Sequence, residues 1–257
     1  MTTNNPIIEV KDLKVQLGGQ LVLDGLNLSV NRGEILGIVG GSGSGKTTLM
    51  RSILMLNKIT SGSIKVFGTE LTGATQKAIL EIQRRWGVLF QQNALFSSLN
   101  VLENTAFPLN EHTTIDPKSI NELALLKILS VGLPADSANK YPAELSGGMQ
   151  KRAALSRSIA LDPELLFLDE PTAGLDPDSA SGLDELILNL QAAMGFTIVI
   201  ITHDLDTLWR VTNRVAFLGE GKVLCIDTMS NLVKNPNKLI QEFFNGPRGR
   251  TATGIYE

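Results

Sequence analysis

Thiols are almost missing from this chain: Cys225 is the sole cysteine among 257 residues. One cysteine excludes an internal disulfide and any metal site built from several thiolates. Its neighbours Val223, Leu224 and Ile226 are apolar, so Cys225 reads as a small core residue of a strand rather than a reactive thiol. Charge of one sign is scarce too. The formal net charge is −3 and there is no long basic run. The electrostatic footprint of a nucleic-acid binder is therefore missing, and no nucleic-acid partner is expected. No stretch approaches the roughly 18 uninterrupted apolar residues of a membrane span. The opening MTTNNPIIEV has neither a basic n-region nor an apolar h-region, so no secretory signal is expected. Any membrane role would run through partners. What the chain does have is ordinary globular stock. Hydrophobic residues make up 43% and charged residues 19%, enough for one large α/β domain or a core domain with an insertion.

Strand patterns dominate the first quarter. Ile8, Val10, Leu13 and Val15 precede a Gly18-Gly19 turn, and Leu26, Leu28 and Val30 then alternate toward one face. Residues 34–39 (EILGIV) form a short apolar run suited to the middle of a sheet. Helical spacing follows over 47–56, and strands are predicted over 62–68 and 86–90. From about residue 95 to 161 only helical patterns occur, with an amphipathic helix over 118–131 on Ile120, Leu123, Leu126 and Leu129, and another helix over 147–161. From Leu165 strands and helices alternate again: strand 165–170, helix 178–194, strand 196–201, a helix after Asp204, strand 214–218. Such alternation on both flanks predicts a mainly parallel sheet interrupted by a helical insertion.

Three motifs carry chemistry. The first, Gly40-Gly41-Ser42-Gly43-Ser44-Gly45-Lys46-Thr47, with Thr48 next in the same helix start, lies between a predicted strand and helix. Its glycines let backbone N–H groups turn inward, the helix N-terminus adds positive potential, and Lys46 supplies a cation for the terminal phosphates. The Thr47 hydroxyl suits Mg²⁺. The second is Leu165-Leu166-Phe167-Leu168-Asp169-Glu170. In a nucleotide-binding α/β fold, ligands sit at the carboxyl ends of parallel strands. That position suits Asp169 to Mg²⁺, usually through water, and Glu170 to the role of general base toward a water molecule. The third, Leu145-Ser146-Gly147-Gly148-Met149-Gln150, opens a helix. It fits either a plain N-cap by Ser146 or a second anion-binding helix start.

With these motifs in hand, the chain resembles ABC-type ATPases along nearly its whole length. LSGGMQ is similar to that family's signature. The resemblance implies that Gln91 in VLFQQNALF is the Q-loop glutamine, Leu175-Asp176 in TAGLDP the D-loop, and His203 in IITHD the switch histidine. The implied fold is a P-loop NTPase of the ABC ATPase type. It has a mainly parallel core sheet, an antiparallel β part at the N-terminus, and an inserted helical subdomain. The implied layout is an ATPase core over 1–94 and 163–244, the helical (signature) subdomain over 95–162, and a tail over 245–257. Two copies would bind head to tail, with each ATP held between Lys46 of one chain and Ser146, Gly147 and Gly148 of the other, near Asp176. Glu170, His203, Gln91 and Lys46 would be catalytic, His203 at the γ-phosphate, with Thr47, Gln91 and Asp169 around Mg²⁺. His112 is left as an unassigned surface residue. One departure stands out: Leu17 occupies the position where many relatives stack an aromatic ring on adenine, which implies a weaker, apolar contact.

Two further stretches point to a subfamily. Residues 93–112 (NALFSSLNVLENTAFPLNEH) and the end FFNGPRG resemble the ATPases of bacterial MCE-type phospholipid transport systems, the Mla kind. That resemblance implies a polytopic inner-membrane permease, an MCE-type substrate-binding protein and a small STAS-like regulatory subunit as partners. The chain would sit peripherally on the cytoplasmic face of the inner membrane. It also suggests that KLIQEFF, with Leu239, Phe243 and Phe244 on one side, contacts the second ATPase subunit. Amino-acid importer ATPases share the first half of residues 93–112, so that alternative stays open. A soluble, non-transport ABC ATPase, for example in iron–sulfur assembly, is the remaining one.

Overall fold

A bulge explains how the first strand keeps one face buried. The computed structural model describes residues 6–244, and β1 (Ile8–Leu17) runs antiparallel to β2 (Gln20–Val30). Ile8 and Val10 are buried, and so are Leu13 and Val15, although the parity of the alternation has changed between the pairs. Register shifts around Lys11 and Asp12, with Asp12 at φ 46°, absorb the extra residue. Gly18 and Gly19 form the hairpin turn, both at positive φ. β4 (Ser61–Val66) and β5 (Thr69–Glu70) complete a sheet of order β2-β1-β4-β5.

Residue contacts divide the chain into two units, one of residues 1–79 with 197–257 and one of residues 80–196. In the first unit β3 (Ile35–Gly40) has every residue buried, as a central strand must. It pairs in parallel with β8 (Thr197–Ile201) and β9 (Arg214–Gly219), while β10 (Lys222–Asp227) adds to β9 antiparallel. Glu34, just before β3, meets Arg214 at 3.2 Å and accepts a hydrogen bond from the Asn31 amide at 2.6 Å, which fixes the turn that feeds β3. One face carries α7 (Leu205–Val211), α8 (Met229–Leu232) and α9 (Lys238–Phe244) in a cluster with Val39, Val215 and Phe217.

The second unit pairs β6 (Trp86–Leu89) in parallel with β7 (Leu165–Asp169). Its helices are α3 (Val101–His112), α4 (Pro117–Ser130), α5 (Gly147–Ser158) and α6 (Pro177–Met194). A capping box of Asn100 and Glu103 starts α3, and the buried hydroxyls of Thr105 and Ser156 bond at 2.8 Å between α3 and α5. α5 presses so closely on β6 that a β-carbon on Gly87 would lie 2.0 Å from the Ser158 carbonyl oxygen. Helix α1 (Lys46–Ile53) belongs to the first unit, and α2 (Gln76–Gln83) runs across the boundary at residue 79. The mixed, mainly parallel P-loop architecture expected from the sequence is present.

Four expectations change. In α4 the buried face is Ile120, Ala124 and Ile128, while Leu126 and Leu129 are 59% and 45% exposed. Steps of three residues fall about 60° short of a turn each time, so the predicted Leu stripe winds round the helix, whereas steps of four stay closer to one face. α1 ends at Ile53, where the chain turns through Met55 at φ 59°, earlier than the periodicity suggests. Cys225 lies in β10 but is only half-buried, and its sulfur accepts a bond from the Asn235 amide at 3.3 Å. Finally, α9 docks on its own unit. Ile240 and Phe244 are buried, Phe243 stacks edge-on to Phe217 at 5.3 Å, and Leu239 is the exposed apolar residue of the helix. The phenylalanines therefore pack on their own unit, Phe244 fully and Phe243 in part. The FFNGPRG resemblance runs past Phe244, so its NGPRG part and the predicted tail lie outside the described residues.

Candidate functional site

Residues 40–48 form a loop between β3 and α1, and steric limits set its shape. Gly40 stands at φ 150° and Gly45 at φ 99°. A β-carbon on Gly40 would meet the Leu218 carbonyl oxygen, and one on Gly45 would come within 2.6 Å of Leu23 Cδ2. Only glycine fits either place. Gly43, at φ 75°, faces open space. The Lys46 ammonium donates to the carbonyls of Gly40 at 2.8 Å and Gly41 at 3.0 Å, so it lies curled over the loop. Beside it opens a cavity of about 550 Å³ lined by Ser44, Lys46, Thr47 and Thr48, by Gln20, Leu21 and Val22 of β2, and by Glu220 and Gly221. Gly41, Ser42 and Thr47 are exposed. His203, in the same unit, sits exposed just past the end of β8. Leu17 does not line this cavity. It ends β1 beside the hairpin turn, and the apolar side chains that line the cavity are Leu21 and Val22 of the next strand, which motif spacing gave no means of finding.

The second unit holds the other candidates. Asp169 ends β7 and is buried, and Glu170 follows half-buried at φ 49°, a left-handed conformation uncommon outside glycine. Ser146 caps α5, its hydroxyl accepting from the Met149 amide at 3.3 Å, and Gly147 and Gly148 open the helix beside Leu175 and Ser179, each a little under 4 Å from a hypothetical β-carbon. Asp176 caps α6 by accepting from the Ser179 amide at 3.0 Å. The Ser179 hydrogen bonds hold its carboxyl below the usual aspartate value. Gln91 is exposed, in the loop after β6, and that loop is anchored by α5. Arg157 donates to the carbonyls of Ala94 at 2.7 Å and Asn93 at 3.0 Å, and Lys151 donates to those of Gln91 at 2.8 Å and Glu170 at 3.2 Å. Lys151 is only 4% exposed. Burial pushes its ammonium below the ordinary lysine value, with the charges of Asp169 and Glu170 pulling it back up. Sequence spacing gave no signal for Lys151 or Arg157.

The family model described as ABC transporter matches residues 23–173, a span that includes the glycine cradle before α1, the Asp169-Glu170 pair at the end of β7 and the Ser146-capped start of α5. The chain belongs to the ABC transporter family. It is an ATP-binding, ATP-hydrolysing member of it. Over 243 residues it is 36% identical to the "Intermembrane phospholipid transport system ATP-binding protein MlaF" of Haemophilus influenzae, a match that covers 95% of this chain and 92% of that one. It is equally 36% identical, over 241 residues, to the "Probable ribonucleotide transport ATP-binding protein mkl" of Mycobacterium leprae, covering 94% of this chain and 69% of that protein. Among solved structures it resembles the dimeric post-hydrolysis state of the ATP-binding cassette MJ0796 bound to ADP and Pi, with a TM-score of 0.78, 29% identity, and coverage of 86% and 98%. Among the described residues of this ABC family chain, no helix is long and apolar enough to cross a membrane.

Proposed function

We propose that this chain is the ATPase of a phospholipid transport system. It works as a head-to-tail pair on the cytoplasmic face of an inner membrane, held there by a polytopic permease. The observation that carries this reading is the match to MlaF, which runs over nearly all of both chains. An MCE-type substrate-binding protein and a small STAS-like subunit complete the proposed assembly.

In this reading the loop of residues 40–48 cradles the phosphates of ATP. Lys46 leaves the Gly40 and Gly41 carbonyls to meet the β- and γ-oxygens. The base lies against Leu21 and Val22 rather than Leu17. Glu170 accepts a proton from the attacking water, Gln91 and His203 face the γ-phosphate, and Ser146, Gly147 and Gly148 close over the nucleotide of the opposite copy, with Asp176 near it. The Thr47 hydroxyl and the Asp169 carboxylate are hard oxygen donors, with Gln91 as a third. Mg²⁺ takes oxygen ligands and few carboxylates, so Thr47, Asp169 and Gln91 would suit it. It would supply neutralisation of charge on the phosphates.

Purification of the chain with its membrane partner, followed by mass spectrometry of the lipid extract, tests the transport reading. Phospholipid held in stoichiometric amount supports it. The equal identity to mkl favours a ribonucleotide as the second reading. Retention of a ribonucleotide outside the ATP sites, or failed uptake of an amino acid with lipid traffic intact, would replace the lipid reading. Co-purification with no membrane protein at all would favour a soluble role.

A further inference from the structure

Helix α5 reaches the loop after β6 with three side chains. Gln150 Oε1 accepts from Asn93 Nδ2 at 3.5 Å, Arg157 donates to the Asn93 and Ala94 carbonyls, and Lys151 donates to the Gln91 carbonyl. Gln150 also donates back to the Pro142 and Leu145 carbonyls just before its own helix, whereas Lys151 joins the loop to the turn after β7 through the Glu170 carbonyl. Both segments it touches hold strained backbone: Asn93 and Ala94 stand at φ 62° and 51°, and Glu170 at 49°. Such conformations persist only where the surroundings over-determine them. A buried ammonium is a costly way to fill space, and an apolar side chain of similar length would cost less if packing were its whole role. What the ammonium adds is several donors at one point, enough to hold two main-chain oxygens at a set separation.

We propose that Lys151 is a positioning residue of the ATPase reaction, locking the Gln91 loop and the Glu170 turn to the helix that begins at Ser146. The carbonyl of residue 170 fixes the peptide plane that follows Glu170, and with it the exit direction of the carboxylate. The carbonyl of residue 91 does the same for the glutamine loop. A displacement of that loop is then felt at the general base, and both are tied to the helix whose first turn faces the other copy's nucleotide. This inference rests on the roles given to Glu170 and Gln91 under Proposed function.

The test uses the full chain with Lys151→Met and Lys151→Arg. Phosphate release gives turnover, a fluorescent ATP analogue gives affinity, and amide hydrogen exchange reports segments 91–94 and 170–173. Lys151→Met should lower turnover on the order of 100-fold, the scale of a small misplacement of a reacting group. Affinity should stay unchanged, and exchange should rise in those two segments alone. Lys151→Arg should recover most of the turnover, because a guanidinium can also span two carbonyls. Wild-type turnover in Lys151→Met overturns the proposal. So does a parallel loss of affinity and turnover with exchange raised throughout the unit. Should Lys151→Met fail to fold, Lys151→Gln is judged by the same measurements, and failure of both to fold makes the lysine structural and overturns it. Glu170→Gln runs alongside: undiminished turnover there removes the base assignment, whereas the exchange at segments 91–94 and 170–173 in the Lys151 variants is read independently of it.

Discussion

The carbonyl oxygen of Leu218 lies 2.2 Å from the point where a β-carbon on Gly40 would stand. The end of β9 thus sets the shape of the phosphate loop from behind. Gly40→Ala should force the two apart and cost about 1–3 kcal/mol, the range of overpacked sites, with ATP affinity lost as the loop moves. Gly43→Ala has open space and meets only the strain of its positive φ, about 1 kcal/mol. Urea unfolding of the two variants measures the difference. Equal losses would mean that Leu218 yields and that the close approach is incidental.

Glu170→Gln should bind ATP as the wild type does and lose about 10²–10⁴-fold in turnover, because an amide cannot take the proton from water. Lys46→Ala should instead weaken ATP binding, since it removes the cation that faces the phosphates. Titration with nucleotide and phosphate-release assays separate these effects. Turnover near wild type in Glu170→Gln would remove Glu170 from the base role, and unchanged Mg-ATP affinity in Lys46→Ala would undo the assignment of the loop.

A mixed dimer tests whether each site is shared between copies. Joining a Ser146→Arg subunit to a Lys46→Ala subunit gathers both defects in one site and leaves the other whole. The heterodimer should hydrolyse ATP faster than either mutant homodimer. A heterodimer no faster than the two homodimers would count against sites built across the interface.

Phe244→Ala should destabilise the chain by about 3–5 kcal/mol, as expected for a large side chain removed from a packed cluster. A chain ending at Leu239 should lose more, since Ile240 and Phe243 go with it and Phe217 is left uncovered. Thermal unfolding at several protein concentrations checks this. A truncated chain with unchanged unfolding but weakened dimerisation would return α9 to the interface.

Much of the site was legible because phosphate binding demands residue types at fixed spacing. Gly40, Lys46 and Thr47 occur where a strand meets a helix, as do Asp169 and Glu170 at a strand end. Burial was legible where one periodicity runs unbroken, as in β3 and β7. It was not where two features interfere. The bulge at Asp12 shifts the parity of β1, and the leucines of α4 recur every third residue, so a helix carries them round to solvent. α2 has no counterpart among the expected elements, since only Ile82 of its eight residues is buried. Contacts made by a side chain with distant main-chain oxygens leave no pattern in the sequence. Lys151 on Gln91, sixty residues away, is one such contact. Spacing along the chain likewise does not show that Leu21 and Val22 line the cavity beside the phosphate loop.

The division of the chain also orders its birth. Residues 80–196 are continuous and leave the ribosome together, but β3 must find β8 and β9, with Asn213 more than 170 residues downstream giving its side-chain oxygen to the amide of Ile35 at 2.7 Å. Synthesis runs from the N-terminus at about 5–20 residues per second, and closing so long a loop is slow. The strand that leads into the phosphate loop is therefore made early and housed late, and it stays an apolar, unpaired segment until residues 197–219 follow it out. In refolding watched by pulsed hydrogen exchange, amides of α5 should gain protection ahead of those of Ile38 and Val39. A nascent chain halted before β9 would carry every residue of the loop and still have no Leu218 behind it to give the loop its shape.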